Sequence, residues 1–117
     1  MTKVLVCGDK NWTDRKAIKR ELSRVTGVGI LVIHGGAQGA DILAGQVASE
    51  LGYKVWVVSA EWEKYGEAAG LLQRAEILNV KPDLILAFHP DLNQSKETKD
   101  LLKQASKMHI PYKHFTK

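Results

Sequence analysis

A single cysteine, Cys7, stands in 117 residues, so no disulfide can form within the chain and no CxxC metal or redox pattern exists. Long apolar runs are missing as well. The longest, Ile30 to Ile33 and Leu84 to Phe88, fall far short of the roughly 20 residues that a membrane helix requires, which excludes a spanning segment. The start Met-Thr-Lys enters an apolar stretch directly, without the charged flank, apolar core and cleavage site of a secretory signal, so a cytoplasmic protein is expected. No repeat, low-complexity tract or linker interrupts the chain. A large charge of one sign is also lacking: 17 Lys and Arg against 13 Asp and Glu give +4. That excess suits an anionic ligand and is too small to indicate DNA binding by itself. What is present is an ordinary mixture, 44% hydrophobic and 26% charged, of a length at which roughly two-thirds of the unfolded chain's surface is buried on folding. One domain, residues 1–117, is expected.

The apolar residues fall into two kinds of segment. Short continuous runs at Val4 to Val6, Ile30 to Ile33, Val55 to Val58 and Leu84 to Phe88 are rich in Val, Ile and Leu, as expected of strands covered on both faces. Between them run helical spacings of three and four: Ile18, Leu22 and Val25; Leu43, Val47 and Leu51; Ala68, Leu71, Ala75 and Leu78; Leu101, Ala105 and Met108. Gly27, Gly52 and the Lys81-Pro82 step punctuate helix ends, and Ile110-Pro111-Tyr112 begins a weaker fifth strand suited to a sheet edge. Alternating strands and helices with right-handed crossovers predict an α/β fold: a Rossmann-like, three-layer domain with a mostly parallel five-stranded sheet in the order 3-2-1-4-5. Mid-strand Trp56 reads as core.

Ligands bind such sheets outside the carboxyl ends of the strands, where the strand order reverses. The segment His34-Gly35-Gly36-Ala37-Gln38-Gly39-Ala40-Asp41 follows a strand and opens a helix, a context in which glycines let the backbone approach a phosphate and the helix start favours an anion. It is not GxGxxG and it lacks the GK[ST] of a P-loop, so neither a dinucleotide dehydrogenase nor a motor ATPase is indicated. Equally, the glycines could serve only a tight turn and close packing. The second segment is Ser95-Lys96-Glu97-Thr98, at the start of the last helix. Ser95 there is either a plain N-cap or, with Thr98 and the charge of Lys96 or Lys99, part of a phosphate grip.

Four stretches, Cys7 to Asp14, His34 to Asp41, Glu61 to Gly70 and Pro82 to Pro90, occur in one order that resembles the YspA-like branch of the SLOG superfamily. That Rossmann-like group includes the Lonely Guy phosphoribohydrolases and the SMF DNA-processing proteins. The resemblance spans essentially the whole chain and implies a nucleotide or nucleotide-derived ligand, with its phosphate near Gly35, Gly36, Gly39 and the Ser95 to Thr98 turn. A homodimer is the assembly it implies. The branch usually carries a Gly-Pro-Ile-Arg-Asn-Arg-like stretch where this chain reads Gly70-Leu71-Leu72-Gln73-Arg74-Ala75, so the basic residue moves from position 73 to Arg74, about 100° around a helix. Glu97 replaces a usual glycine. Where the related turn of the Lonely Guy enzymes ends in a catalytic glutamate, this chain has Leu101, which argues for binding over hydrolysis.

Other residues admit a functional and a plain reading. Asp9 and Asp41 are placed to accept bonds from ribose hydroxyls or a base, or to serve turn and helix start. Trp12 could stack on a base, with Trp62 and Tyr65 behind it, or finish the core. Cys7, His34 and His89 end three neighbouring strands, yet no carboxylate supports a metal, and a small buried thiol is the usual fate of such a cysteine. Lys96, Lys99, Lys103 and Lys107 form a solvated helix face or a basic one. The candidate ligand-binding set is therefore Gly8, Asp9, Trp12, His34, Gly35, Gly36, Gly39, Asp41, Arg74, His89, Ser95, Lys96 and Thr98. No catalytic residue, metal or cofactor is assigned. The leading expectation is a nucleotide-binding or sensing module; the alternatives are a nucleoside 5′-monophosphate N-glycosidase and a single-strand nucleic-acid binder, with nucleic acid the less favoured partner.

Overall fold

Runs of Val, Ile and Leu stay extended where both faces of a sheet must be covered, and they do so here in the computed structural model, which describes residues 1–117. The elements are β1 (Thr2–Gly8), α1 (Arg15–Ser23), β2 (Ile30–His34), α2 (Ala40–Glu50), β3 (Lys54–Val57), α3 (Trp62–Tyr65), α4 (Ala69–Asn79), β4 (Leu84–Phe88), α5 (Lys96–Lys107) and β5 (Tyr112–Phe115). All neighbouring strands pair parallel, in the order β3-β2-β1-β4-β5. Central β1 aligns Leu5 with Ile33 on one side and Ile85 on the other. Because side chains alternate across a strand, Val4 and Val6 enter a core with Ile18 and Leu22 of α1 and Ala44, Val47 and Ala48 of α2, while Leu5 enters a second core with Ile77 and Leu78 of α4 and Leu101 and Leu102 of α5. Each fully buried Val, Leu, Ile or Phe contributes about 1.5 to 3 kcal/mol. These two layers fix the sheet from both faces. No helix is long and apolar enough to cross a membrane.

Caps mark the helix starts. Asp14 accepts the Ala17 N–H at 3.1 Å ahead of α1, and Ser95 accepts the Thr98 N–H at 3.2 Å ahead of α5. Lys81 after α4 and His109 after α5 take the left-handed conformation, at φ 58° and 60°, the usual way to turn the chain out of a helix.

Three expectations are corrected. First, Trp56 is not core: β3 lies at the sheet edge, as the expected strand order has it, and there Trp56 is 41% exposed and Val57 44%. Second, the buried residues of α4 are Ala69, Ile77 and Leu78, whereas Ala68, Leu71 and Ala75 are exposed. Ala68 lies in a single 3-10 turn, Gly66–Ala68, and the helix after it faces a cavity instead of a closed core. Third, Leu102 takes the place on α5 expected of Met108, which stands exposed at the helix end.

Candidate functional site

From β1 the chain crosses to β2 on one side, and from β3 it returns past β1 to β4 on the other, so strand order reverses between β1 and β4. A cavity of about 370 Å³ opens there. Leu5, Val6, Cys7 and Gly8 of β1 form its floor; Gly70, Leu71, Gln73, Arg74 and Ile77 of α4 form one wall; Glu97, Thr98 and Leu101 of α5 form the other. Gly35, Ala37 and Asp41 close one end, and Trp62 and Glu67 stand with them around it. A Cβ on Gly8 would overlap the Phe88 carbonyl oxygen, so only glycine lets β1 lie this close to the end of β4.

The glycine loop uses its own amides. Gly35 and Ala37 donate to Asp41 Oδ2 at 3.0 and 3.2 Å, and Gly36 donates to His34 Nδ1 at 3.0 Å. The Ala40 N–H goes to the Asp9 carbonyl oxygen, an approach that a Cβ on Gly39 would block. Any Cβ on Gly36 would sit near Val57 and Ser59, outside the cavity lining. Of the donors that the sequence offered to a phosphate, the Gly35, Gly36 and Ala37 amides are thus held by a carboxylate and an imidazole of the chain itself, and the Ala40 amide by a carbonyl.

Asp41 is the buried carboxylate of the site. Burial pushes it up to about 6, opposed by the two backbone donors that favour the charged form. Beside it, the Cys7 thiol is pushed far above the usual range by burial and by the Asp41 carboxylate, so it is a thiol and not a thiolate nucleophile.

On the opposite wall Arg74 is the cation that lines the cavity. Its Nε is buried with no hydrogen bond, and Asp100 Oδ2 lies 3.5 Å away at ion-pair distance only. Gln73 also faces inward, donating to the carbonyl oxygens of Gly35 at 2.9 Å and Val58 at 2.8 Å. The shift of the basic residue from 73 to 74 therefore does not turn it away from the site, because α4 lies along the cavity and presents both positions. Thr98, buried behind its cap bond, brings the first turn of α5 to the same wall. A groove of about 540 Å³, lined by Arg74, Lys96, Glu97, Lys99, Asp100 and Lys103, continues from there.

The remaining candidates lie outside the cavity lining. Trp12 is 6% exposed, packs on Phe88 at 5.5 Å between ring centroids and donates its indole N–H to the Asp14 carbonyl oxygen. It belongs to the core on the α1 and α2 side. Asp9 accepts the Asn11 N–H in a local turn. His34 and His89 are both buried, and each accepts through Nδ1 the N–H two residues ahead, from Gly36 and Asp91. Burial lowers the His34 pKa, keeping it neutral. No group of three His, Cys, Asp or Glu residues is arranged to hold a metal. Sequence reasoning had left out Glu67, Gln73, Ile77 and Glu97. One signal could have found the α4 wall: Gly70, Gln73, Arg74 and Ile77 stand at i, i+3, i+4 and i+7, a helix stripe that is polar in its middle.

The family described as "YspA, cpYpsA-related SLOG family" matches residues 2–65, more than half of the chain, from β1 through the glycine loop and Asp41 to α3. The Gene 61 protein of Mycobacterium phage D29 is 35% identical over 124 aligned residues, covering 98% of this chain and 97% of that protein. No solved structure matches the chain significantly.

Proposed function

Since the chain belongs to the YspA, cpYpsA-related SLOG family, we propose that it binds a nucleotide or nucleotide-derived small molecule in the cavity over β1, as a ligand-binding module. The observation that carries this reading is Arg74. A guanidinium whose Nε is buried and without a hydrogen bond, at a strand-order reversal and beside the first turn of α5, is a donor waiting for an acceptor. A phosphate answers that need. In this reading the phosphate lies between Arg74 and the Ser95 to Thr98 turn, because the Gly35, Gly36 and Ala37 amides are already engaged by Asp41 and His34. The apolar floor and the 61% exposed ring of Trp62 then receive the base. Asp41 and Glu67 of the lining accept from ribose hydroxyls or an exocyclic amine.

The reading favours binding over chemistry. N-glycosidic cleavage needs a positioned carboxylate at the anomeric carbon, and Leu101, an apolar residue 4% exposed, lines the α5 wall where the related enzymes place theirs. Calorimetric titration with adenosine, guanosine, cytidine and uridine monophosphates tests the proposal. At least one should bind, and Arg74→Ala should weaken it by about 1.5 to 3 kcal/mol, the worth of a hydrogen bond to a charged group. Unchanged affinity in a folded Arg74→Ala protein would place the site elsewhere.

A further inference from the structure

The cavity and the groove beside it differ in chemistry. The floor and α4 wall of the cavity carry Leu5, Val6, Leu71 and Ile77, whereas the groove is lined by six charged residues and no apolar one. Arg74 and Glu97 belong to both, so the two spaces adjoin at these two residues. Within the groove, Lys96, Lys99 and Lys103 follow one another at spacings of three and four, on the exposed side of a helix whose other side buries Thr98, Leu101, Leu102 and Ala105. Four cations there face two carboxylates, and Asp100 is already occupied, 3.5 Å from Arg74 Nε and accepting from Gln104 Nε2 at 2.8 Å. None of the three lysines is paired with a carboxylate: every ion pair of the chain uses arginine. Lys99 Nζ donates only to the neutral Asn93 Oδ1, at 3.3 Å.

One phosphate at Arg74 would leave the three lysines without an anion. From this we infer that the ligand carries more than one phosphate: a nucleoside di- or oligophosphate whose base occupies the apolar cavity, whose first phosphate meets Arg74 and whose further phosphates run along the lysines of α5. The inference rests on the nucleotide reading above and adds the ligand class. Each added phosphate brings charge-assisted bonds and relieves repulsion among the lysines.

The test compares mono-, di- and triphosphates of one nucleoside by calorimetry without divalent metal. The diphosphate should bind about tenfold or more tighter than the monophosphate. In the double variant Lys99→Ala, Lys103→Ala that ratio should fall towards one, while Lys99→Arg, Lys103→Arg should preserve it. Lys19→Ala on α1, in the opposite helix layer, should leave the ratio unaltered. Equal affinity for all three nucleotides would overturn the inference and make the lysines a solvated face, with the monophosphate reading intact. Absence of binding by any of them would instead sink the nucleotide reading itself. A ratio lost equally in Lys19→Ala would reduce the effect to overall charge and contradict the groove. So would tighter binding of a single-stranded oligonucleotide with a steep salt dependence, which would mark the groove as a nucleic-acid track.

Discussion

Asp41 is under two opposed demands: burial disfavours its charge, while the Gly35 and Ala37 amides need its oxygen. Its pKa stands near 6 in the fold against an ordinary 3.8, so the folded protein holds that proton more tightly than the unfolded chain and ionisation works against folding. The penalty is absent below about pH 4, grows between about pH 4 and 6, and is constant above, reaching about 3 kcal/mol. Asp41→Asn keeps an acceptor for the loop and removes the charge, so its stability relative to the parent should rise by that order between those pH values in urea unfolding; parallel profiles would refute the burial argument. Trp12 makes a different case. As a core ring on Phe88, its change to Ala should cost about 3 to 5 kcal/mol of stability, and a folded Trp12→Ala protein that loses only ligand affinity would return the ring to the site. At this scale the sequence was legible in part. Gly8 and Asp41 were readable as residues at strand and helix ends, but which acceptor takes each loop amide depends on His34 and Asp41 competing with a ligand, and no spacing reveals that outcome.

Among the elements, α4 explains most of the gap between sequence and site. Its buried residues are fewer than the run of Ala and Leu suggested, because one side, with Leu71, borders an open cavity and Leu72 lies exposed outside it. A period computed on apolar residues alone therefore selected the wrong stripe. Strand β3 misled for a related reason: the run Val55 to Val58 has the composition of a strand covered on both faces, which put Trp56 in the core, although the expected strand order itself sets β3 at the sheet edge. Helix ends were more legible, since Lys81-Pro82 and the residues after α5 bear local signals. His109 holds φ 60° with a side chain that disfavours it. His109→Gly should therefore stabilise the fold by about 0.5 to 1 kcal/mol, read as a shift of the denaturation midpoint at unchanged slope. A loss of stability would show that the imidazole makes up for its backbone.

For the molecule as a whole, the order β3-β2-β1-β4-β5 was legible because alternating strands and helices with right-handed crossovers leave few arrangements. That order puts α4 and α5 on either side of one cavity, and with them Arg74, Thr98 and Leu101. In the proposed reading the same placement favours binding over catalysis. A positioned acid or base is worth a factor of about 100 to 10,000 in rate, so with Leu101 on the α5 wall, release of free base from nucleoside monophosphates should be negligible in a timed assay at high protein concentration. Robust turnover abolished by Asp41→Asn would make this an enzyme with a relocated carboxylate. Whether Arg74 holds a nucleotide between α4 and α5 is decided by magnetic-resonance titration of isotope-labelled protein with nucleoside mono- and diphosphates. Binding there should give saturable shifts of the Arg74 Nε–H, the Thr98 and Leu101 amides and the Trp62 indole, with the indole of buried Trp12 unmoved. Saturable shifts confined to the Trp12 side of the sheet, with Arg74 silent, would contradict it.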